Sequence, residues 1–146
     1  MKNRAKQAYM KAAETFAELS YAVRLKVGAI VVKDDRIISI GYNGMPAGWD
    51  NTCENLIGYN KGEPVLNSKP EVLHAESNAI TKLARSNESG LDATMFVTHA
   101  PCIDCAKLIY QSGIKCVYYR HTYRETHGIE FLEKSGVVVE HLNDIT

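Results

Sequence analysis

One tryptophan, four prolines and four cysteines are spread over 146 residues, too few to make a proline-rich linker or a disulfide-stapled scaffold. No sign of charge prevails. Seventeen Lys and Arg offset seventeen Asp and Glu, for a formal net charge of zero, so the sequence lacks the strongly basic footprint of a polynucleotide-binding protein and suits a small ligand better. No apolar run approaches the roughly 20 residues a helical membrane crossing needs, and the long hydrophobic strands are broken by charges such as Lys33-Asp34-Asp35-Arg36. The N-terminal segment, with Lys11, Glu14 and Glu18 close behind its first charges, has no apolar stretch of signal-peptide length. These absences predict a cytoplasmic protein with neither polynucleotide nor membrane as partner. What is present, 45% hydrophobic and 23% charged residues, is ordinary for one soluble globular domain over residues 1–146. A chain of this size buries roughly two-thirds of its extended surface on folding. Its core needs no metal, so a metal here points to function.

The apolar positions Ala5, Ala8, Tyr9, Ala12, Phe16 and Leu19 recur at steps of three and four, which predicts a helix in residues 1–20. Val27–Val32 and Ile37–Ile40 flank a polar turn and predict an antiparallel hairpin. From Asn43 to about Pro70 periodicity is lost, in a stretch far longer than the usual connection of about 4–6 residues. Its Trp49, Leu56, Ile57, Tyr59 and Val65 favour a folded loop covering a pocket. A helix over His74–Ala84, a strand over Ala93–Thr98, a helix from Pro101 to Ser112, a strand over Ile114–Tyr119, a helix around Ile129–Lys134 and a strand over Val137–His141 complete the order α-β-β-α-β-α-β-α-β.

Two motifs carry chemistry. Pro101-Cys102-Ile103-Asp104-Cys105 stands where a strand gives way to a helix. Residues three apart share a helical face, so both sulfurs can reach one metal, and the unpaired N–H groups of the helix start favour the thiolate that binds zinc. Alone, the pair also fits a redox couple, half of a structural zinc site, or coincidence. His74-Ala75-Glu76 opens the preceding helix. Positions i and i+2 diverge by about 200° on a regular helix, so both side chains address one centre only where they overhang its end. Alone, this is a surface His beside a solvated Glu. Together the motifs are more specific, because crossover geometry can bring two such helix starts to one end of a sheet. His74, Cys102 and Cys105 then form a three-ligand zinc site with an open position, the catalytic arrangement, with Glu76 as a proton acceptor beside it.

His-x-Glu followed by Pro-Cys-x-x-Cys is the known signature of zinc-dependent nucleobase deaminases. Val27-Gly28-Ala29, Gly41-Tyr-Asn-Gly-Met-Pro46 and His74-Ala-Glu-Ser-Asn-Ala-Ile80 further resemble the motifs of deoxycytidylate deaminases, particularly those of bacteriophages, over about residues 20–142. The resemblance implies the cytidine deaminase fold, a three-layer α/β/α arrangement around a five-stranded mixed sheet, and usually a homohexamer. It implies hydrolytic deamination of dCMP to dUMP and ammonia, supplying dUMP for thymidylate synthesis, in the host cytoplasm if a phage encodes the chain. Relatives are commonly activated by dCTP with Mg2+ and inhibited by dTTP. Some phage relatives hold a second, structural zinc, but here Cys53 stands alone and Val72 sits two residues before His74. One zinc per chain is expected. Cys116, in an apolar strand, reads as a core residue, and His99 as either a pocket residue or a hydrogen-bonded structural one.

In the implied reaction zinc activates a water that attacks C4 of cytosine, and Glu76 moves its proton to ring N3 and then to the leaving amino group. N–H groups around Ala75 suit the base carbonyl. Arg24 and Lys26 are the first candidates for the 5′-phosphate, each equally readable as a solvated surface charge, and the Asn43 amide for a sugar hydroxyl. Tyr123 and Arg120 are weaker candidates for the same rim. An effector triphosphate could dock at the Asn43-Gly44 turn near Asp50, whose backbone N–H groups are expected to be exposed. Other enzymes of the zinc family, acting on cytidine, riboflavin precursors or adenosine in transfer RNA, are the alternatives, as is a non-catalytic zinc-stabilised binding module, which retention of Glu76 argues against.

Overall fold

The computed structural model describes residues 1–143. Helix α1 (Asn3–Ala17) precedes a hairpin of β1 (Gly28–Lys33) and β2 (Arg36–Tyr42), then a second hairpin of β3 (Glu54–Asn60) and β4 (Glu63–Ser68). There follow α2 (Ala75–Ala84), β5 (Thr94–His99), α3 (Ile103–Gln111), β6 (Cys116–His121), α4 (His127–Lys134) and β7 (Val138–His141). Five strands form one mixed sheet in the order β2-β1-β5-β6-β7. β1 is antiparallel to β2 and β5, whereas β5, β6 and β7 run parallel through the crossover helices α3 and α4.

Strand β1 is buried along nearly its whole length, as a central strand covered on both faces must be. Its alternation divides the core. Ile30 and Val32 join Met10, Ala13 and Phe96 beneath α1, while Ala29 and Val31 join Ala75, Ala79, Ala106 and Ile109 on the other face. This is the expected three-layer architecture. The β1–β2 turn places Asp34 and Asp35 both at positive φ, 51° and 58°, the two-residue geometry whose twist matches a hairpin.

The stretch from Asn43 to Pro70 differs from the expected irregular loop by containing β3 and β4, joined at Lys61-Gly62 with φ of 51° and 80°. Among the described residues these strands pair only with each other. Neither face of this small ribbon is buried, so its side chains were never sorted into an alternating pattern. Its base borders the main cavity through Cys53, Glu54 and Ser68, but Trp49, Leu56, Ile57, Tyr59 and Val65 are exposed and do not line it, so the expected cover is limited to that base.

Candidate active site

Two helix starts meet at one end of the main sheet. His74 and Cys102 occupy the N-cap positions of α2 and α3, both with extended backbone, and Glu76 and Cys105 lie in the first turns behind them. α2 is fastened to β2 by Asn78 Nδ2 donating to Tyr42 O at 2.8 Å and Ser39 Oγ donating to Ala79 O at 2.6 Å. The approach is close enough that a Cβ on Gly41 would collide with the backbone of Ala75 and Ala79. On the α3 side, Ala100 N–H donates to His121 O at 2.9 Å, and Gly128, at the start of α4, lies against the carbonyls of Pro101 and Cys102.

This scaffold brings His74, Cys102 and Cys105 together, with their ligand atoms all within 4.8 Å of one another. His74 Nδ1 stands 3.3 Å from Cys105 Sγ and 3.7 Å from Cys102 Sγ. The two sulfurs share a proton unequally. A hydrogen bond from Cys105, reinforced by His74, lowers the Cys102 thiol to about 4, and the same bond, with burial, raises the Cys105 thiol. His74 is pushed up, chiefly by Cys102. One imidazole and two sulfurs, one already a thiolate, are the donor set zinc prefers, and three of them leave a position open.

Glu76 is 5% exposed and joins neither sulfur nor imidazole as a ligand. Burial raises its carboxyl to about 7, where it can both take and give a proton near neutrality. Glu76, His74, Ala75 and Cys102 line a cavity of about 490 Å³. The first intrahelical bond of α2 is made by Asn78 N–H, so the Ala75 amide stands at the cavity without a helical partner, while the Glu76 amide donates to its own carboxylate.

The expected ligand contacts fare unevenly. Arg24, Asn43 and Tyr123 line the cavity, with Arg24 Nη1 donating to Ser68 Oγ at 3.2 Å. Asn43 is largely committed to the fold. Its Oδ1 accepts Val27 N–H at 2.9 Å and its Nδ2 donates to Leu25 O at 2.8 Å. Lys26 lies outside the cavity wall. So does Arg120, which is 8% exposed and donates to Leu142 O and Gln7 Oε1, both at 3.0 Å, tying β6 to α1 instead of reaching the rim. The Asn43-Gly44 turn does not expose its amides. Asn43 N–H donates to Val27 O and Gly44 N–H to Leu73 O. Asp50 lies apart from the cavity and accepts Thr52 N–H at 2.7 Å. Two cations at the cavity escaped the sequence reading: Lys69 and Arg124. Lys69 lay in the stretch without periodicity; Arg124 was one step beyond a residue already singled out.

Residues 3–121 match the family described as the cytidine and deoxycytidylate deaminase zinc-binding region. The chain belongs to that family. It is similar to a dCMP deaminase of the cyanophage S-TIM5, solved in complex with dCMP and dUMP, at 48% identity and a TM-score of 0.85, covering 97% of this chain and 98% of that one. It is 40% identical over 131 residues to the deoxycytidylate deaminase of Enterobacteria phage T4, a match covering 67% of this chain and 68% of the relative. It is 37% identical over 136 residues to ComE operon protein 2 of Bacillus subtilis, covering 92% and 69% respectively. Among the described residues no helix is long and apolar enough to cross a membrane.

Proposed function

We propose that the chain catalyses the zinc-dependent hydrolytic deamination of dCMP to dUMP and ammonia. The observation that carries this reading is a buried carboxyl, Glu76, beside the His74, Cys102 and Cys105 donors, in a cavity that Arg24, Lys69 and Arg124 also line. One cavity thus holds groups for the base and cations for a phosphate. His74, Cys102 and Cys105 would hold the zinc, which would supply the Lewis acidity that activates a water. Glu76 takes a proton from that water and delivers it to ring N3, which makes C4 electrophilic, and the water oxygen bonds to C4. Glu76 then carries the proton of the new C4 hydroxyl to the exocyclic nitrogen, so the C4–N bond breaks and ammonia leaves while the carbonyl of uracil forms. The α2 amide at Ala75 suits the base carbonyl O2, since it is a hydrogen-bond donor without a helical partner.

Arg24, Lys69 and Arg124 are the cations placed to bind the 5′-phosphate, with Tyr123 beside them, and the remaining Asn43 N–H suits a sugar hydroxyl. Activation by dCTP with Mg2+, inhibition by dTTP, a homohexamer, one zinc per chain and a cytoplasmic location belong to the same proposal, on the strength of the family resemblance. The pairing of Gly44 with Leu73 argues against effector binding through the Gly44 amide. Turnover measured on dCMP, deoxycytidine, CMP and cytidine tests the reading. The expected result is a preference for dCMP that falls by roughly one to two decades in kcat/KM when Lys69 or Arg124 becomes Ala, deoxycytidine being nearly indifferent. Equal wild-type turnover of dCMP and deoxycytidine makes it a nucleoside deaminase instead.

A further inference from the structure

His99 ends β5 on the cavity wall, three residues ahead of Cys102, and the proton traffic assigned to Glu76 does not use it. Its neighbour fixes which ring nitrogen carries hydrogen. Thr98 Oγ1 lies 2.9 Å from His99 Nδ1 and already accepts Gly28 N–H at 3.1 Å. Thr98 is buried, and among the described residues its hydroxyl makes no other hydrogen bond. A buried hydroxyl gives its one proton to an acceptor, and Nδ1 is the acceptor within reach. Nδ1 therefore accepts, and the neutral imidazole carries its hydrogen on Nε2. Burial, aided by His121 with ring centroids 4.9 Å apart, holds the His99 pKa near 4, so the ring is neutral at physiological pH.

The Nε2 atom faces open space. Among the described residues the one sealed side-chain nitrogen or oxygen without a partner is Arg120 Nε, so His99 Nε2, which makes no hydrogen bond, is accessible, and the cavity is what His99 lines. His99 pairs in register with His121, whose strand leads on to Tyr123 and Arg124 at the same cavity. We infer that the Thr98 hydroxyl locks His99 in the Nε2–H form, and that His99 is a neutral hydrogen-bond donor to the 5′-phosphate, a specificity-determining residue of the deaminase site. This rests on the deamination of dCMP proposed above. Arg24, Lys69 and Arg124 supply charge in the same cavity, whereas a fixed N–H supplies direction. Thr98 acts through His99, as a positioning residue.

The tautomer and the contact are tested separately on the zinc-loaded protein. Two-bond nitrogen–proton NMR correlations of labelled histidine should show His99 protonated at Nε2 in the wild type. Thr98→Val should shift the pattern toward Nδ1–H, and Thr98→Ser should restore it. In turnover, His99→Gln places its amide nitrogen near the Nε2 position and should keep dCMP kcat/KM within about threefold, whereas His99→Asn places it near Nδ1 and should lose at least about tenfold. The loss should lie in KM for dCMP, with deoxycytidine little changed and zinc content preserved. A wild-type Nδ1–H pattern overturns the lock. Equal losses for Gln and Asn, or for nucleoside and nucleotide, overturn the phosphate contact. Absence of wild-type dCMP turnover overturns the deaminase reading instead, while the NMR pattern is read independently of it.

Discussion

Glu76 holds two properties in tension. As a proton carrier it gains from burial, which lifts its carboxyl to about 7. As a buried acid it costs stability once ionised. A carboxyl whose folded pKa lies above its unfolded value favours folding at low pH and loses that advantage as pH rises through the folded value. In metal-stripped protein, Glu76→Gln should therefore match the wild type near pH 4, exceed it increasingly as pH rises toward about 7, and hold a constant lead on the order of 3 kcal/mol above that. Chemical denaturation of both proteins across that range checks the sign. The same variant should retain zinc yet lose turnover by at least about 100-fold, because an amide cannot relay the proton. Full activity in Glu76→Gln removes it from the mechanism. At this scale the sequence was legible where residue type and chemistry coincide, as in His74, Glu76, Cys102 and Cys105. Arg120 misled because a guanidinium near the end of β6 reads the same whether it faces a ligand or a helix. Only the packing of α1 turns it toward Gln7 and Leu142.

Among the elements, α4 contributes no proposed ligand but its first turn decides where Cys102 sits. A methyl on Gly128 would strike the Pro101 carbonyl and the Cys102 backbone, neither of which can swing aside as a side chain would. Gly128→Ala should weaken zinc binding by about ten- to one hundred-fold, the range typical of disturbing the support behind a ligand. Gly44→Ala, where the new methyl meets nothing within 4 Å, should leave zinc affinity unchanged. Competition with a metallochromic chelator measures both. Unaltered affinity in Gly128→Ala shows that the Pro101–Cys102 turn is not braced by α4. The elements of the two buried layers were legible because their side chains obey one period. The β3–β4 ribbon was not, since exposed residues such as Leu56, Ile57 and Tyr59 carry no record of an inside and an outside.

Across the whole molecule, the two sheets are built to different standards. The five-stranded sheet is packed by buried helices on both faces, while among the described residues the β3–β4 ribbon pairs only with itself. Among the side chains that hold the ribbon's base is Glu54, 8% exposed, whose Oε2 accepts Val23 N–H at 2.9 Å and Arg24 N–H at 3.1 Å. Such a unit opens locally at a free energy well below that of global unfolding. Amide hydrogen exchange should show Glu54–Asn60 and Glu63–Ser68 exchanging by a separate, faster process than β1 and β5. Glu54→Ala should accelerate the ribbon alone. Exchange of ribbon and sheet in a single cooperative step refutes the division. Where the division holds, Glu54 couples the ribbon to the segment that carries Arg24, so a change at residue 54 alters the setting of a cavity cation while the donors of the metal site stay where α2 and α3 put them.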